Sequence, residues 1–263
     1  MDPDPNAEAA GADDDGATGT VEDAAADDDG AAGVTGREAG TGPAGDAGTF
    51  TAVLFDMDGV LVDSEPHWNA FEEEFVFAEA TAGEPTHEEV TGMNYREIYD
   101  YLDGEYGVVV PRETFLGRYE AHADRVYGDL AAPMPGTADV LATVRDAGVT
   151  TGIVSSSRRR WIGRVLARLG LEPLDLAMSA EEVPGPGKPA PDVYEDAGRR
   201  LRRAPDDCVV IEDSRNGVRA GVAAGCYTVG FRAGHNADYD LSTADEVVDG
   251  ADELRALLDE LLG

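Results

Sequence analysis

The chain has 263 residues, 42 % of them hydrophobic, enough for one large domain or a core carrying an insert. Acid dominates, with 54 Asp and Glu against 20 Lys and Arg and a net charge of −34, so the surface repels nucleic acid and anionic membranes. No run approaches the roughly 18 apolar residues of a membrane span, and the acidic N-terminal stretch is unlike a signal or transit peptide, so neither is expected.

Residues 1–49 hold 13 acids and one base, Arg37. They carry almost no large apolar side chains, and such a segment cannot offset its ordering entropy, so a disordered acidic tail is expected. Within it Ala12-Asp13-Asp14-Asp15-Gly16-Ala17 recurs as Ala26-Asp27-Asp28-Asp29-Gly30-Ala31. A calcium loop needs alternating ligands and a distal Glu, so these runs read as low-complexity sequence. The rest of the chain is acidic too, at −22 of the −34. Acid-rich, lysine-poor composition is similar to that of proteins adapted to high salt.

Thr51-Ala52-Val53-Leu54-Phe55 is a short apolar run ending in charge and Gly, which predicts a buried strand followed by a turn. Residues 67–133 then read as helices, at 67–80, 95–106 and 113–127. Ser64-Glu65-Pro66 and Pro133-Met134-Pro135-Gly136 flank them, and proline on both sides suits two linker strands. This predicts a helical cap at 67–133 inserted into a core made of 50–66 and 134–263. In the second core segment, strands are predicted at 149–154, 208–211 and 227–231. Helices are predicted at 137–147, 159–169, 192–202, 218–224 and 252–262. Continuous apolar strands alternating with helices predict an α/β fold, a Rossmann-like parallel sheet with helices on both faces.

In open parallel sheets, ligands bind outside the carboxyl ends of the strands. Asp56 and Asp58 follow the first strand, Ser155 and Ser156 the second, and Glu212 and Asp213 the third. Gly187-Lys188-Pro189 lies between the last two. The chain holds 19 Arg and a single Lys, Lys188. Four carboxylates at one sheet edge repel strongly and call for a divalent cation, and hard oxygen ligands favour Mg²⁺ over zinc.

Phe55-Asp56-Met57-Asp58-Gly59-Val60-Leu61-Val62-Asp63-Ser64-Glu65 resembles the first motif of the haloacid dehalogenase-like hydrolases. Ser155, Lys188 in Gly187-Lys188-Pro189-Ala190-Pro191-Asp192, and Glu212-Asp213-Ser214-Arg215-Asn216-Gly217 follow in that family's order. The cap position resembles the subgroup that contains β-phosphoglucomutase and phosphoglycolate phosphatase. The resemblance implies that Asp56 attacks phosphorus and forms an aspartyl-phosphate, with Asp58 as general acid and then base. It implies Mg²⁺ held by Asp56, Asp58 through its backbone carbonyl, and Asp213, with Glu212 close by. Ser155, Ser156 and Lys188 would bind the phosphoryl group. A second acid at position 58 points to phosphorus chemistry and away from dehalogenation.

Thr91-Gly92-Met93-Asn94-Tyr95-Arg96-Glu97 resembles the family's substrate-specificity loop, which offers Gly92, Asn94 and Arg96 as substrate contacts. Arg96 either meets a second anionic group or pairs with Glu97 or Asp100. Trp68 stands where the subgroup usually has His, with His67 one place early, and Tyr95 stands where β-phosphoglucomutase has its loop arginine. A phosphatase for a small phosphorylated metabolite is therefore expected ahead of a sugar-phosphate mutase, and a non-catalytic ligand-binding protein on the same fold is the third reading. Gly185-Pro186-Gly187-Lys188 is not a phosphate loop, because Pro189 stands where Ser or Thr is needed. Arg158-Arg159-Arg160 reads as a solvated helix start, Trp161 as packing, and His122, His235, Asp238 and Asp240 as surface residues. Cys208 and Cys226 read as buried small hydrophobes. A cytoplasmic setting and a monomer are compatible with all of this.

Overall fold

The computed structural model describes residues 50–171 and 173–263, so the expected acidic tail lies outside the described residues. The chain enters as β1 (Ala52–Phe55), makes a tight turn, and leaves the core through β2 (Val62–Asp63). The cap follows: α1 (Glu65–Phe71), extended as π-helix over Glu72–Ala80, then α2 (His87–Val90), α3 (Tyr95–Glu105) and α4 (Arg112–Arg125), extended over Val126–Leu130. The chain returns through β3 (Ala132–Pro133), α5 (Thr137–Asp146), β4 (Thr150–Ser155), α6 (Arg159–Leu169) and β5 (Leu176–Ser179). It ends with α7 (Asp192–Leu201), β6 (Cys208–Glu212), α8 (Arg215–Ala223), β7 (Tyr227–Arg232), β8 (Glu246–Asp249) and α9 (Gly250–Leu262).

Six strands form one parallel sheet in the order β5-β4-β1-β6-β7-β8. The order reverses at β1, where Phe55 lies opposite Ile153 of β4 and Ile211 of β6. The carboxyl ends of β1, β4 and β6 therefore meet at the switch point, where open sheets bind ligands. Val53 and Phe55 pack with residues of α5, α6 and α9 such as Val144, Ile162 and Leu258. Ala52 and Leu54 pack on the other face with Val193, Ala197 and Ala220 of α7 and α8. Burial on both faces is why these strands read as unbroken apolar runs. Both cysteines are buried and free.

Four of these six strands are expected from the sequence, and β5 and β8 are not. Both are edge strands, one half-buried and one largely exposed, so neither shows a continuous apolar run. β2 and β3, beside the expected linkers 64–66 and 133–136, pair antiparallel, Val62 with Pro133 and Asp63 with Ala132. Glu65 and Pro66, expected in the linker, instead start α1. Proline is tolerated there because its missing N–H has no helical partner to lose. Among the described residues no helix is long and apolar enough to cross a membrane.

Candidate active site

Asp56 is fixed at the end of β1 by its backbone N–H, which donates to Ile211 O at 2.9 Å. Behind it sits Lys188, whose side chain is 0 % exposed. Its Nζ lies 2.6 Å from both Asp56 Oδ1 and Glu212 Oε1 and donates to Val154 O at 3.3 Å. Burial disfavours the ammonium, but the two carboxylates overturn that and hold its pKa above the ordinary lysine value. Lys188 does not line the cleft and acts on it through Asp56. The second oxygen of Asp56, Oδ2, has no donor among the described residues.

Glu212 also accepts from the Tyr194 hydroxyl of α7 at 2.5 Å. Burial, with Asp56 adding to it and Lys188 opposing, pushes its pKa up to about 7. Gly217 is the glycine this arrangement needs, because a Cβ there would collide with the Glu212 carboxylate. Asp213 is held on two sides by the short helical turn after β7. His235 Nε2 lies 2.7 Å from its Oδ2, and Asn236 Nδ2 donates to its backbone carbonyl at 2.7 Å. Burial pushes the His235 pKa down, to about 4. Gly59 has φ of +72°, and a Cβ there would strike Asp213 Oδ2.

Asp56, Glu212 and Asp213 each offer a carboxylate oxygen within 4.8 Å of the others, and all three are buried. One ammonium faces three carboxylates, and burial followed by Asp56 holds Asp213 well above the ordinary carboxylate range. A divalent cation with a preference for hard oxygen ligands fits this donor set.

The Asp58 side chain lies outside that cluster and turns toward the cap. Ser64 Oγ and the Tyr127 hydroxyl donate to its Oδ1 at 2.5 and 2.9 Å, and Ser157 Oγ donates to its Oδ2 at 3.1 Å. Burial and then Asp56 push its pKa up to about 6, with the three hydroxyls pulling the other way. None of these hydroxyls is expected at the site from the sequence; Tyr127 is 69 positions away from Asp58 and comes from the cap. Ser155 is buried at the cleft floor, its Oγ accepting from Ser157 N at 3.0 Å. The Ser156 hydroxyl, expected on the phosphoryl group, donates to Gly92 O of the cap at 2.6 Å.

The expected cap contacts are redistributed. Gly92 lines the cleft, but Asn94 and Arg96 do not. Asn94 caps α3 and donates to Ser156 O at 2.9 Å, so its amide bolts the cap to the core. Arg96 does not pair with Glu97 or Asp100; its Nη1 pairs with Glu181 of the core at 2.8 Å. Arg158, Arg159 and Arg160 form ion pairs with Glu120, Glu181 and Glu182, as a solvated helix start would. His122 and His235 are not surface residues. His122 is half-buried, stacked 4.4 Å from Phe71 and bonded to His67 O, and His235 holds Asp213. Trp161 is packed as expected and also forms part of the cleft wall.

Over residues 50–225 the chain matches the family described as haloacid dehalogenase-like hydrolase. It is 32 % identical over 176 residues to a phosphorylated carbohydrates phosphatase of Thermotoga maritima, spanning 66 % of this chain and 81 % of that protein. It is 31 % identical over 186 residues to hexitol phosphatase B of Escherichia coli K12, spanning 66 % and 79 %. A haloacid dehalogenase-family hydrolase from Deinococcus radiodurans R1, solved with phosphate and sodium bound, superposes with a TM-score of 0.57 at 31 % identity. That alignment covers 81 % of this chain and 96 % of the other.

Proposed function

The chain belongs to the haloacid dehalogenase-like hydrolases, and on that premise we propose that it is a magnesium-dependent phosphatase of a small phosphorylated metabolite, a sugar or polyol phosphate, working through an aspartyl-phosphate on Asp56. The observation that carries the reading is the Asp56 carboxylate, with one oxygen pinned by Lys188 and the other undonated at the floor of a cleft. The named activities of the relatives support the substrate class.

Asp56 attacks phosphorus with its undonated oxygen, and the phosphorus–oxygen bond to the alcohol breaks. Asp58 gives its proton to the departing alcohol oxygen, then takes one from the water that cleaves the aspartyl-phosphate. Ser64, Tyr127 and Ser157 hold the Asp58 carboxylate in place for both transfers. Ser155 supplies a hydroxyl at the cleft floor for a phosphoryl oxygen. Mg²⁺ held by Asp56 and Asp213, with Glu212 and the Asp58 backbone carbonyl beside them, would neutralise charge on the transferring group. His235 and Asn236 fix Asp213 for that task, and Lys188 keeps Asp56 and Glu212 from repelling each other.

Phosphate release that depends on added Mg²⁺ tests the proposal. Asp56→Asn is expected to lower it by on the order of a thousandfold or more, and unchanged release would remove Asp56 from the chemistry. Net release of phosphate, in place of interconversion of sugar phosphates, separates a phosphatase from a mutase.

A further inference from the structure

The cleft wall contains cap residues and a helix start that, Tyr127 apart, the chemistry at Asp56 leaves unused. Five aromatic rings close a circuit there. Centroids are 5.6 Å apart for Trp68 and Tyr119, 6.0 Å for Tyr119 and Tyr95, and 5.6 Å for Tyr95 and Trp161. Trp161 and Tyr127 are 5.9 Å apart, and Tyr127 and Trp68 6.0 Å. All five line the cleft, together with the carboxylates of Glu65 and Glu72.

The two carboxylates differ in one respect. Glu72 is occupied, with Oε2 2.7 Å from His87 Nδ1 and Oε1 accepting the Tyr119 hydroxyl at 3.3 Å. Glu65 is 6 % exposed and has neither a hydrogen-bond donor nor an ion-pair partner among the described residues. No Arg, Lys or His lines the cleft. The Glu65 oxygens open onto the cleft, so a carboxylate enclosed this far takes its donors from whatever occupies the cleft, water or ligand.

A hydroxyl or ammonium on the ligand would supply that partner. A second phosphate or a carboxylate would meet Glu65 with no cation to neutralise it. Apolar walls with one placed polar group are how small-molecule sites fix orientation, and an unmatched charge is how they reject competitors.

Resting on the phosphatase reading, we propose that Glu65 is a specificity-determining residue. It hydrogen-bonds the alcohol half of the substrate, selects monophosphates whose alcohol carries hydroxyl or ammonium donors, and excludes those with a second anionic group.

Three esters share a primary phosphate and differ in the charge of the rest: glucose 6-phosphate, glucosamine 6-phosphate and 6-phosphogluconate. They are compared at one ionic strength with saturating Mg²⁺, beside p-nitrophenyl phosphate as a general reporter of phosphatase activity. Calorimetry with the Asp56→Asn protein gives their affinities independently of turnover. The neutral and cationic esters should exceed 6-phosphogluconate by on the order of a hundredfold in kcat/KM and in affinity. In Glu65→Gln that gap should narrow to within about tenfold, chiefly through tighter binding of the anionic ester. Should 6-phosphogluconate equal or exceed glucose 6-phosphate in the unaltered protein, or the gap persist in Glu65→Gln, the proposal is overturned, and the first comparison needs no variant. Absence of phosphate release from all four esters would instead refute the phosphatase reading, while the affinity order would still judge Glu65.

Discussion

Replacing Lys188 by Met removes the charge and keeps most of the volume, so the effect is electrostatic and not that of a cavity. The ammonium is wholly enclosed and 2.6 Å from each of two carboxylates. Without it, Asp56 and Glu212 face each other and Asp213 with nothing between them. Removing one partner of a buried ion pair costs about 3–5 kcal/mol, because the remaining charge is left uncompensated. For a domain of this size that corresponds to a fall in Tm of about 6–20 °C. Denaturant and thermal unfolding in metal-free buffer at fixed salt would measure it. The cost should shrink in a Glu212→Gln background, where one of the repelling carboxylates is already neutral. Added Mg²⁺ should restore part of the loss. Lys188→Arg should not rescue, because a planar guanidinium needs room that an enclosed site lacks. A cost below about 1 kcal/mol, or one independent of Glu212, would refute the reasoning.

Tyr127→Phe removes a donor to a buried carboxylate, worth about 1.5–3 kcal/mol, and should lower kcat/KM by about ten- to a hundredfold; steady-state values within threefold of wild type would detach the cap from Asp58. His235→Ala should weaken Mg²⁺ binding by about ten- to a hundredfold in calorimetry, since it fixes the orientation of Asp213, and unchanged affinity would contradict that role. The hydrogen bond to Glu72, opposed by burial, holds His87 above its ordinary pKa. Its contribution to stability is therefore complete below about pH 6.5 and lost as pH rises through the folded value. Burial raises Glu72 as well, so that carboxylate opposes folding once pH exceeds its ordinary value. His87→Gln should accordingly destabilise more at about pH 6 than at about pH 8.5, and an equal effect at both would contradict the pairing.

The central residues were legible because each stands at the end of an apolar run or in a short motif. Asp56, Asp58, Ser155, Glu212 and Asp213 stand at or just beyond the carboxyl ends of β1, β4 and β6, and register at the switch point brings them together whatever the intervening sequence. Lys188 was legible by its singularity in a chain of 19 arginines. The residues that orient them were not. Tyr127, Ser157, His235 and Asn236 reach the site across long sequence separations, from loops and the cap, with no local pattern to mark them. Asn94 and Arg96 were offered as substrate contacts because their loop resembles one that makes such contacts, with a pair to Glu97 or Asp100 as the other reading of Arg96. Their side chains are taken by Ser156 and Glu181, partners on other elements that the loop sequence does not contain. Glu65 was assigned to a linker because Pro66 follows it, although proline in a first helical turn also starts helices, and that shift places the carboxylate on the cleft.

The most direct test is to quench the protein with acid during turnover of a sugar phosphate and locate the phosphoryl group by mass spectrometry. The expected result is one phosphoryl group on the peptide carrying Asp56, formed only with Mg²⁺ and absent in Asp56→Asn. Steady turnover with Asp56 unmodified at every quench time, or the group on another residue, would contradict the account.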